Sequence, residues 1–196
     1  MPTPEAKKAS YHHGDLREAL IGAGLAILAE GGDPAALSLR EAARRAGVSA
    51  MAPYRHFADK DALLAAVAAI GFGRLAAALA EADSHEDRSE ALIRQGVAYV
   101  TFACAEPALF RLMFGTAIGE KRGDLATAAA EAYALLAERI RSIVASPEAE
   151  IWALHCWATV HGLAALAVDG QLASRGLEPI AIADRVLRLP GAIPGL

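Results

Sequence analysis

Apolar residues recur every three to four positions along most of the chain, and this spacing predicts helices separated by short polar breaks. The first helix begins near Asp15, because Asp15 and Glu18 have the spacing of a capping box. Glycine and proline in residues 31–34 end it. Its apolar positions are Leu16, Leu20, Ala23 and Ile27.

A short helix that ends in a tight turn is predicted next. Ser38 stands at its N-cap with Glu41 three residues later, and the helix runs to Ala46 before Gly47 breaks it. A short helix followed at once by a glycine turn is typical of the first half of a helix-turn-helix motif.

The second half of the motif is predicted over residues 50–56, with Ser49 as the N-cap. Pro53 is tolerated there because the first turn of a helix has few amide bonds to lose. A longer helix follows, with Asp59 as its N-cap. Its predicted apolar face consists of Leu63, Val67, Ile70 and Leu75.

The polar, charged segment 81–90 is interpreted as the joint between two domains, residues 10–75 and residues 84–196. Beyond it, helices are predicted over 88–105, 107–114, 124–145, 148–168 and 179–189. No β-alternating segment of useful length interrupts them. The fold class is therefore all-α, with a three-helix helix-turn-helix domain followed by a helical bundle.

Composition supports the helical prediction, since 55% of the 196 residues are hydrophobic and many of these are alanine, the strongest helix former. The net charge of −4 is uneven. Residues 1–60 hold eight basic and seven acidic residues, whereas the rest hold eleven and sixteen. Any surface that faces nucleic acid therefore belongs to the first third of the chain, although this charge alone is too weak to demonstrate binding.

The sequence contains neither a recognisable targeting segment nor a cysteine pattern typical of disulfide bonds. Cys104 and Cys156 lie in apolar stretches and are expected to be free, small hydrophobic residues. No signal-peptide pattern opens the chain, and the longest uninterrupted apolar run, residues 62–72, is too short to span a membrane. We expect a cytoplasmic protein without a membrane partner.

A helix-turn-helix braces its second helix so that the N-terminal part of that helix reaches base edges in the major groove. Small residues there permit close approach, while polar side chains and helix N-termini can meet phosphates. The predicted DNA-binding residues are Ser38, Arg40, Ser49, Ala50, Met51, Ala52, Tyr54, Arg55, His56 and Lys60. Some have plainer interpretations: Ser38 and Ser49 as helix caps, Arg40 as a solvated residue and Tyr54 as part of the core.

Residues 38–49 (SLREAARRAGVS) and 54–64 (YRHFADKDALL) closely resemble the DNA-binding domain of tetracycline-repressor-like (TetR) regulators. Residues 11–17 (YHHGDLR) also match a common opening of that family. The resemblance covers about residues 10–75. Two residues depart from the family pattern, Ala42 in place of a larger aliphatic residue and Gly24 in place of alanine, and both bear on core packing.

A looser resemblance extends over the rest of the chain. Residues 99–103 (YVTFA), 106–114 (EPALFRLMF) and 157–163 (WATVHGL) are similar to a "WHG" type of TetR effector domain. The family pairs the last two helices of each subunit in a four-helix dimer interface. The segment 151–168 fits, because it is apolar on nearly every side and must be buried all round.

The resemblance also implies a cavity for a small effector. The predicted dimer interface is Trp157, Ala158, His161, Gly162, Ala165, Ile180, Ala183 and Leu187. The predicted ligand-binding residues are Tyr99, Phe102, Phe110, Met113, Phe114, Tyr133 and Trp152, each of which could instead be plain core. Arg111 could meet a polar group of the effector or form a surface ion pair.

Other classes of function find little support. His155, Cys156 and His161 do not place three metal ligands on one helix face, so neither a metal nor another cofactor is expected. No nucleophile beside a base and no carboxylate pair indicates an enzyme. The sequence therefore predicts a DNA-binding regulator, a dimeric repressor on a palindromic operator released by an apolar effector, with a helical adaptor that does not bind DNA as the alternative. Repression is implied by the family, and neither the operator nor the effector can be identified.

Overall fold

The computed structural model describes residues 13–31, 33–115, 123–145 and 147–195, and this part of the chain is helical without a β-strand. The predicted all-α class is confirmed. Three 3-10 turns, Pro34–Ala36, Ala52–Arg55 and Ala173–Arg175, accompany the α-helices. The helices are α1 (His13–Ala29), α2 (Leu39–Arg45), α3 (Lys60–Ala82), α4 (Arg88–Ala105), α5 (Pro107–Phe114), α6 (Asp124–Ile143), α7 (Ala149–Val168) and α8 (Pro179–Leu187).

Predicted helix boundaries differ from the observed ones by at most two residues. Helix α1 begins two residues before Asp15, while α6 and α8 each end two residues early. Asp59 caps α3 as predicted, because its Oδ1 accepts a hydrogen bond from the amide of Ala62 at 2.8 Å. Residues 11 and 12 of the opening motif lie outside the described residues, as do the side chains of residues 13–15, including that of Asp15.

In the N-terminal part of the chain α1 packs against α2 and α3, and the buried side chains there belong to a hydrophobic core that continues into the rest of the bundle. Phe57 is buried there. Ile70 was predicted on the apolar face of α3, and this is wrong because its side chain is 41% exposed. The large buried side chains of this part of the core include Leu20, Leu37, Leu63, Leu64 and Val67.

Gly24 lies where α1 crosses α3 at close range. A Cβ atom at this position would lie 2.8 Å from Cγ2 of Val67 and 3.4 Å from Cδ1 of Leu37. Val67 is fully buried and, as a β-branched residue in a helix, cannot easily change rotamer. Glycine, in place of the alanine that is usual in the family, is therefore explained by this close contact between α1 and α3.

We expect Gly24→Ala to destabilise the fold by about 1 kcal/mol, because overpacking against Val67 outweighs the gain in helix propensity. Gly22→Ala is the matched control on the same helix, since a Cβ there meets no atom within 4 Å. It should stabilise the protein by about 0.5–1 kcal/mol. Urea unfolding of both variants measures the difference, and equal stabilisation by both would contradict the packing argument.

Helix α3 continues into the second domain, where it packs against α4, α5 and α6. Helices α7 and α8 complete this bundle by packing on α4. Gly96 of α4 allows the close approach, because a Cβ at this position would lie 2.5 Å from Cδ1 of Leu187 and 3.1 Å from Cγ1 of Val160. One helix, α3, therefore belongs to both domains.

By length and composition alone, α3 and α7 are apolar enough to cross a membrane, and the bent pair α4 and α5 passes the same test together. The uninterrupted apolar run 62–72 is by itself too short to span a membrane, whereas the whole of α3 is long enough. Half of the apolar window of α3 is buried within the subunit, but only 22% of that of α7 is. Helix α7 therefore exposes apolar side chains that the rest of the subunit does not bury.

Candidate DNA interface and effector cavity

The turn between α2 and the second element of the motif is built by a capped helix and a glycine. Oγ of Ser38 accepts a hydrogen bond from the amide of Glu41 at 3.2 Å, which fixes the start of α2. Gly47 has a φ of 68°, a left-handed conformation that glycine adopts without strain. The chain then reverses, and the amide of Val48 donates to the carbonyl of Ala43.

The second element is shorter than predicted. Instead of a helix over residues 50–56, the structure has a single 3-10 turn, Ala52–Arg55, preceded by turn residues. Met51 occupies the N-cap without a side-chain hydrogen bond, so the prediction that Ser49 caps this element is wrong. Pro53, which is buried, supplies no amide hydrogen, and this limits the helical hydrogen bonds available.

This element nevertheless presents its side chains outward. Met51 is 70% exposed and Tyr54 is 48% exposed, so the alternative that Tyr54 belongs to the core is excluded. Ala52 and His56 are half-buried. Of the predicted DNA-binding residues, those that are exposed are Arg40, Ser49, Ala50, Met51, Tyr54 and Arg55.

The arginines of α2 divide into paired and unpaired groups. Arg44 lies 2.7 Å from the Glu41 carboxylate, and Arg45 lies 2.6 Å from Glu30 and 2.9 Å from Glu41. Hydrogen bonds from Arg44 and Arg45 lower the pKa of Glu41 to about 2. Among the described residues Arg40 makes no ion pair, so its charge remains available to a phosphate.

Lys60 occupies the first turn of α3, where a phosphate contact was predicted. Its Nζ donates a hydrogen bond to the carbonyl of Ala35 at 2.8 Å and so ties α3 to the 3-10 turn Pro34–Ala36. This structural role was not predicted from the sequence. It does not exclude a phosphate contact, because an ammonium group has three donors.

A cavity of about 280 Å³ lies in the second domain between α3, α4, α6 and α7. Its walls are almost entirely apolar. Three of the predicted ligand-binding residues line it: Tyr99, Phe114 and Tyr133. The other lining residues are Phe72, Leu75, Leu79, Leu92, Gln95, Gly96, Ala129, Ala132, Leu136, Cys156, Trp157, Val160, Leu187 and Ile193.

Four predicted ligand-binding residues do not line this cavity: Phe102, Phe110, Met113 and Trp152. Met113 packs instead on the backbone of α3 at Gly71, where a Cβ would lie 2.6 Å from its Sδ. Phe102, Phe110 and Met113 are buried in the core, as the plainer interpretation held. Most of the cavity wall comes from α4, α6 and α7. The short helix α5, which carries three of the predicted ligand-binding residues, contributes only Phe114 to the wall.

An aromatic cluster closes one side of the cavity. The Tyr99 hydroxyl and Nδ1 of His161 are 2.9 Å apart and share a hydrogen bond. Burial raises the pKa of Tyr99 well above its usual value, so the phenol stays protonated. The ring centroids of Phe114 and His161 are 4.7 Å apart, which places His161 among these rings.

Four predicted dimer-interface residues make contacts inside the subunit: Ala183 and Leu187 are fully buried, while Trp157 and His161 are half-buried. Leu187 packs against α4, and the assignments of Ala183 and Leu187 to the interface are corrected. Trp157 lines the cavity, and His161 hydrogen-bonds to Tyr99.

Three of the remaining predicted interface residues lie on α7: Ala158 and Gly162 are exposed, and Ala165 is half-exposed. The fourth, Ile180, lies on α8 and is 37% exposed. Ile151 and Leu154, which were not predicted, are 72% and 56% exposed. We call the exposed residues Ile151, Leu154, His155, Ala158, Gly162 and Leu166 the outer face of α7.

Arg111 does not reach the cavity. Its guanidinium donates to the carbonyl of Val168 at 2.6 Å and lies 3.5 Å from the carboxylate of Asp169. The alternative of a surface ion pair is therefore the one that the structure contains. Cys104 and Cys156 are both free, and burial raises the pKa of the Cys156 thiol to about 11.

A capped helix, a glycine turn and an exposed second element, carried on a helical bundle with an internal cavity, define a helix-turn-helix transcriptional regulator. Residues 20–67 match the family described as bacterial regulatory proteins, tetR family. Residues 92–189 match the tetracyclin repressor-like C-terminal domain. The chain belongs to the TetR family of transcriptional regulators, which are DNA-binding proteins and not enzymes.

Solved structures agree with this family. A Rhodococcus protein of unknown function is 34% identical, with a TM-score of 0.77 over 92% of this chain and 95% of its own. The fatty acid degradation regulator FadR of Bacillus halodurans is 16% identical, with a TM-score of 0.71 over 95% and 98%. The TetR family regulator PfmR of Thermus thermophilus is 18% identical, with a TM-score of 0.63 over 86% and 94%. No curated protein matches the chain.

Proposed function

We propose that this regulator is a cytoplasmic repressor that binds a palindromic operator as a homodimer and is released by a small, mostly apolar effector. The observation that carries the proposal is the apolar cavity beside α3, the helix that also forms part of the DNA-binding domain. A molecule that enters this cavity contacts α3, and α3 begins shortly after the 3-10 turn Ala52–Arg55, which carries the exposed Tyr54. Effector binding and DNA binding are therefore mechanically linked.

The homodimer is supported by the outer face of α7, which is apolar, exposed and lined by small residues at its centre. Exposed apolar surface of this kind marks an interaction site. Two copies related by a two-fold axis would place two recognition elements on one side of the assembly, at a spacing that must match successive major grooves about 34–36 Å apart. The operator is then a palindrome with half-sites one helical turn apart.

Selection of bound DNA from a random duplex pool tests this function directly. The expected product is an inverted repeat whose affinity falls steeply with salt. The selection is repeated with candidate apolar compounds, and one of them should lower recovery of the repeat. Recovery of unrelated sequences without salt dependence would favour a helical adaptor that does not bind DNA.

Lys60 provides a test of the DNA-facing surface. Lys60→Ala should weaken binding to all duplexes and reduce the slope of log affinity against log salt by about one unit, because one phosphate contact is lost. Lys60→Arg retains the charge and should retain the slope. If Lys60→Ala lowers only thermal stability and leaves the slope unchanged, the bond to Ala35 is its whole role.

A further inference from the structure

Gln95 is a buried polar residue in the wall of the apolar cavity. It lies on α4 and is only 3% exposed. Neither Nε2 nor Oε1 of its carboxamide has a hydrogen-bond partner among the described residues. A buried amide without partners costs free energy, so an apolar residue would stabilise this position better. The carboxamide is therefore positioned to bind something that enters the cavity.

The other walls determine what this group can bind. All of the described lining residues are uncharged. A carboxylate or ammonium group brought here would lose its hydration without gaining a counter-charge, which is strongly unfavourable. Arg111, a cation on nearby α5, is engaged with Val168 and Asp169 outside the cavity.

The remaining polar groups of the wall leave Gln95 as the principal anchor. The Tyr99 hydroxyl, one turn further along α4, already shares its hydrogen bond with His161. The Tyr133 hydroxyl donates to Glu150 at 3.0 Å. A carboxamide presents one acceptor and two donors, and its best neutral complement is another group with an adjacent donor and acceptor.

We infer that the cavity selects an uncharged, mostly apolar carboxamide or lactam, and that Gln95 is the residue that recognises the amide group. The inference rests on the proposed role of the cavity as an effector site and specifies the class of effector. An engineered cavity of about 150 Å³ holds benzene, so a cavity of about 280 Å³ suits a ligand of roughly ten to fifteen non-hydrogen atoms.

Two pairs of probes of equal size test the inference. Decanamide is compared with methyl nonanoate, and 1-naphthamide with 1-acetylnaphthalene; in each pair only the amide both donates and accepts. Calorimetric titration of the intact protein should show at least tenfold tighter binding of one amide than of its partner. Equal affinity within both pairs, or no binding of either amide, overturns the inference.

The matched variant is Gln95→Leu, which keeps the approximate volume and removes both amide atoms. It should reduce affinity for the bound amide at least tenfold, leave the ester or ketone unchanged, and raise the melting temperature. Leu112→Met, an apolar exchange in the buried core outside the cavity, should preserve the preference for the amide. An equal loss of affinity for both members of a pair in Gln95→Leu would show that Gln95 only shapes the cavity.

A spectroscopic measurement separates recognition from a structural effect. The side-chain ¹⁵N amide signals of Gln95, assigned by their absence in Gln95→Leu, should shift on titration with the amide and stay in place with the ester or ketone. Operator affinity is measured separately. Amide binding through Gln95 without operator release would refute the effector role alone, whereas release by compounds that bind equally well to Gln95→Leu would refute the inference alone.

Discussion

Gly162→Trp is expected to convert the proposed dimer into a monomer and to reduce operator affinity by roughly a hundredfold or more. Gly162 lies at the centre of the outer face of α7, where a Cβ meets no atom of its own subunit within 4 Å. An indole added there leaves the subunit core untouched. It does prevent a partner helix from approaching closely, and a monomer loses the avidity of two linked half-sites.

Gly73→Trp is the matched control. Gly73 is also an exposed helical glycine whose added Cβ meets nothing within 4 Å, but it lies on α3. Both variants gain the same helix propensity, so a difference between them reports the surface rather than the backbone. Light scattering and sedimentation measure the oligomeric state, and a Gly162→Trp variant that remains dimeric with normal operator affinity would remove α7 from the interface.

The sequence was sufficient to predict the elements and class of this protein. Helix caps such as Ser38 and Asp59 act within one turn, so their spacing is visible without tertiary information. The 3-10 turn Ala52–Arg55 was mistaken for a longer helix because Ser49 resembled a cap and Pro53 was judged harmless in a first turn. Local signals there were compatible with either conformation.

The assignment of faces on α7 was harder, because the helix is apolar on nearly all sides. Periodicity orients a helix only when one side is polar. Trp157 and His161 therefore resembled interface residues, although they lie against the cavity and Tyr99. Residue size does not resolve the faces either, since the large Ile151 and Leu154 are exposed together with Gly162, whereas the small Ala153 and Ala164 are buried.

Gln95 shows a second limit of sequence reasoning. A glutamine in a helix usually faces solvent, and nothing in its neighbours along the chain indicates otherwise. Its burial follows from the packing of α3, α6, α7 and α8 around α4. Such long-range packing becomes visible only in three dimensions.

Filling the cavity with a side chain should reproduce the effect of the proposed effector, and Ala132→Phe is expected to lower operator affinity by about tenfold to a hundredfold. Ala132 is buried on α6 and lines the cavity opposite α3. A phenyl ring fits, because benzene occupies a cavity of about half this volume. We expect the ring, like a bound ligand, to hold the cavity walls apart and so to favour a position of α3 that does not match the DNA.

The displacement is transmitted by α3. This helix has 23 residues and is therefore about 34 Å long. Phe72, Leu75 and Leu79 near its end face the cavity, whereas Leu63 and Val67 belong to the core of the DNA-binding domain. A tilt of about 5° moves the far end of such a rod by roughly 3 Å. The two recognition elements of a dimer would then no longer match the groove spacing.

Ala130→Phe is the control, because Ala130 lies on the exposed face of the same helix. Both variants are compared by circular dichroism, sedimentation and operator titration, so that unfolding or dissociation is recognised. For a bound ligand, a hundredfold loss of operator affinity corresponds to a coupling free energy of about 2.7 kcal/mol, and the DNA-bound protein must bind that ligand a hundredfold more weakly. A folded, dimeric Ala132→Phe protein with normal operator affinity would show that the cavity and the DNA-binding domain are not coupled.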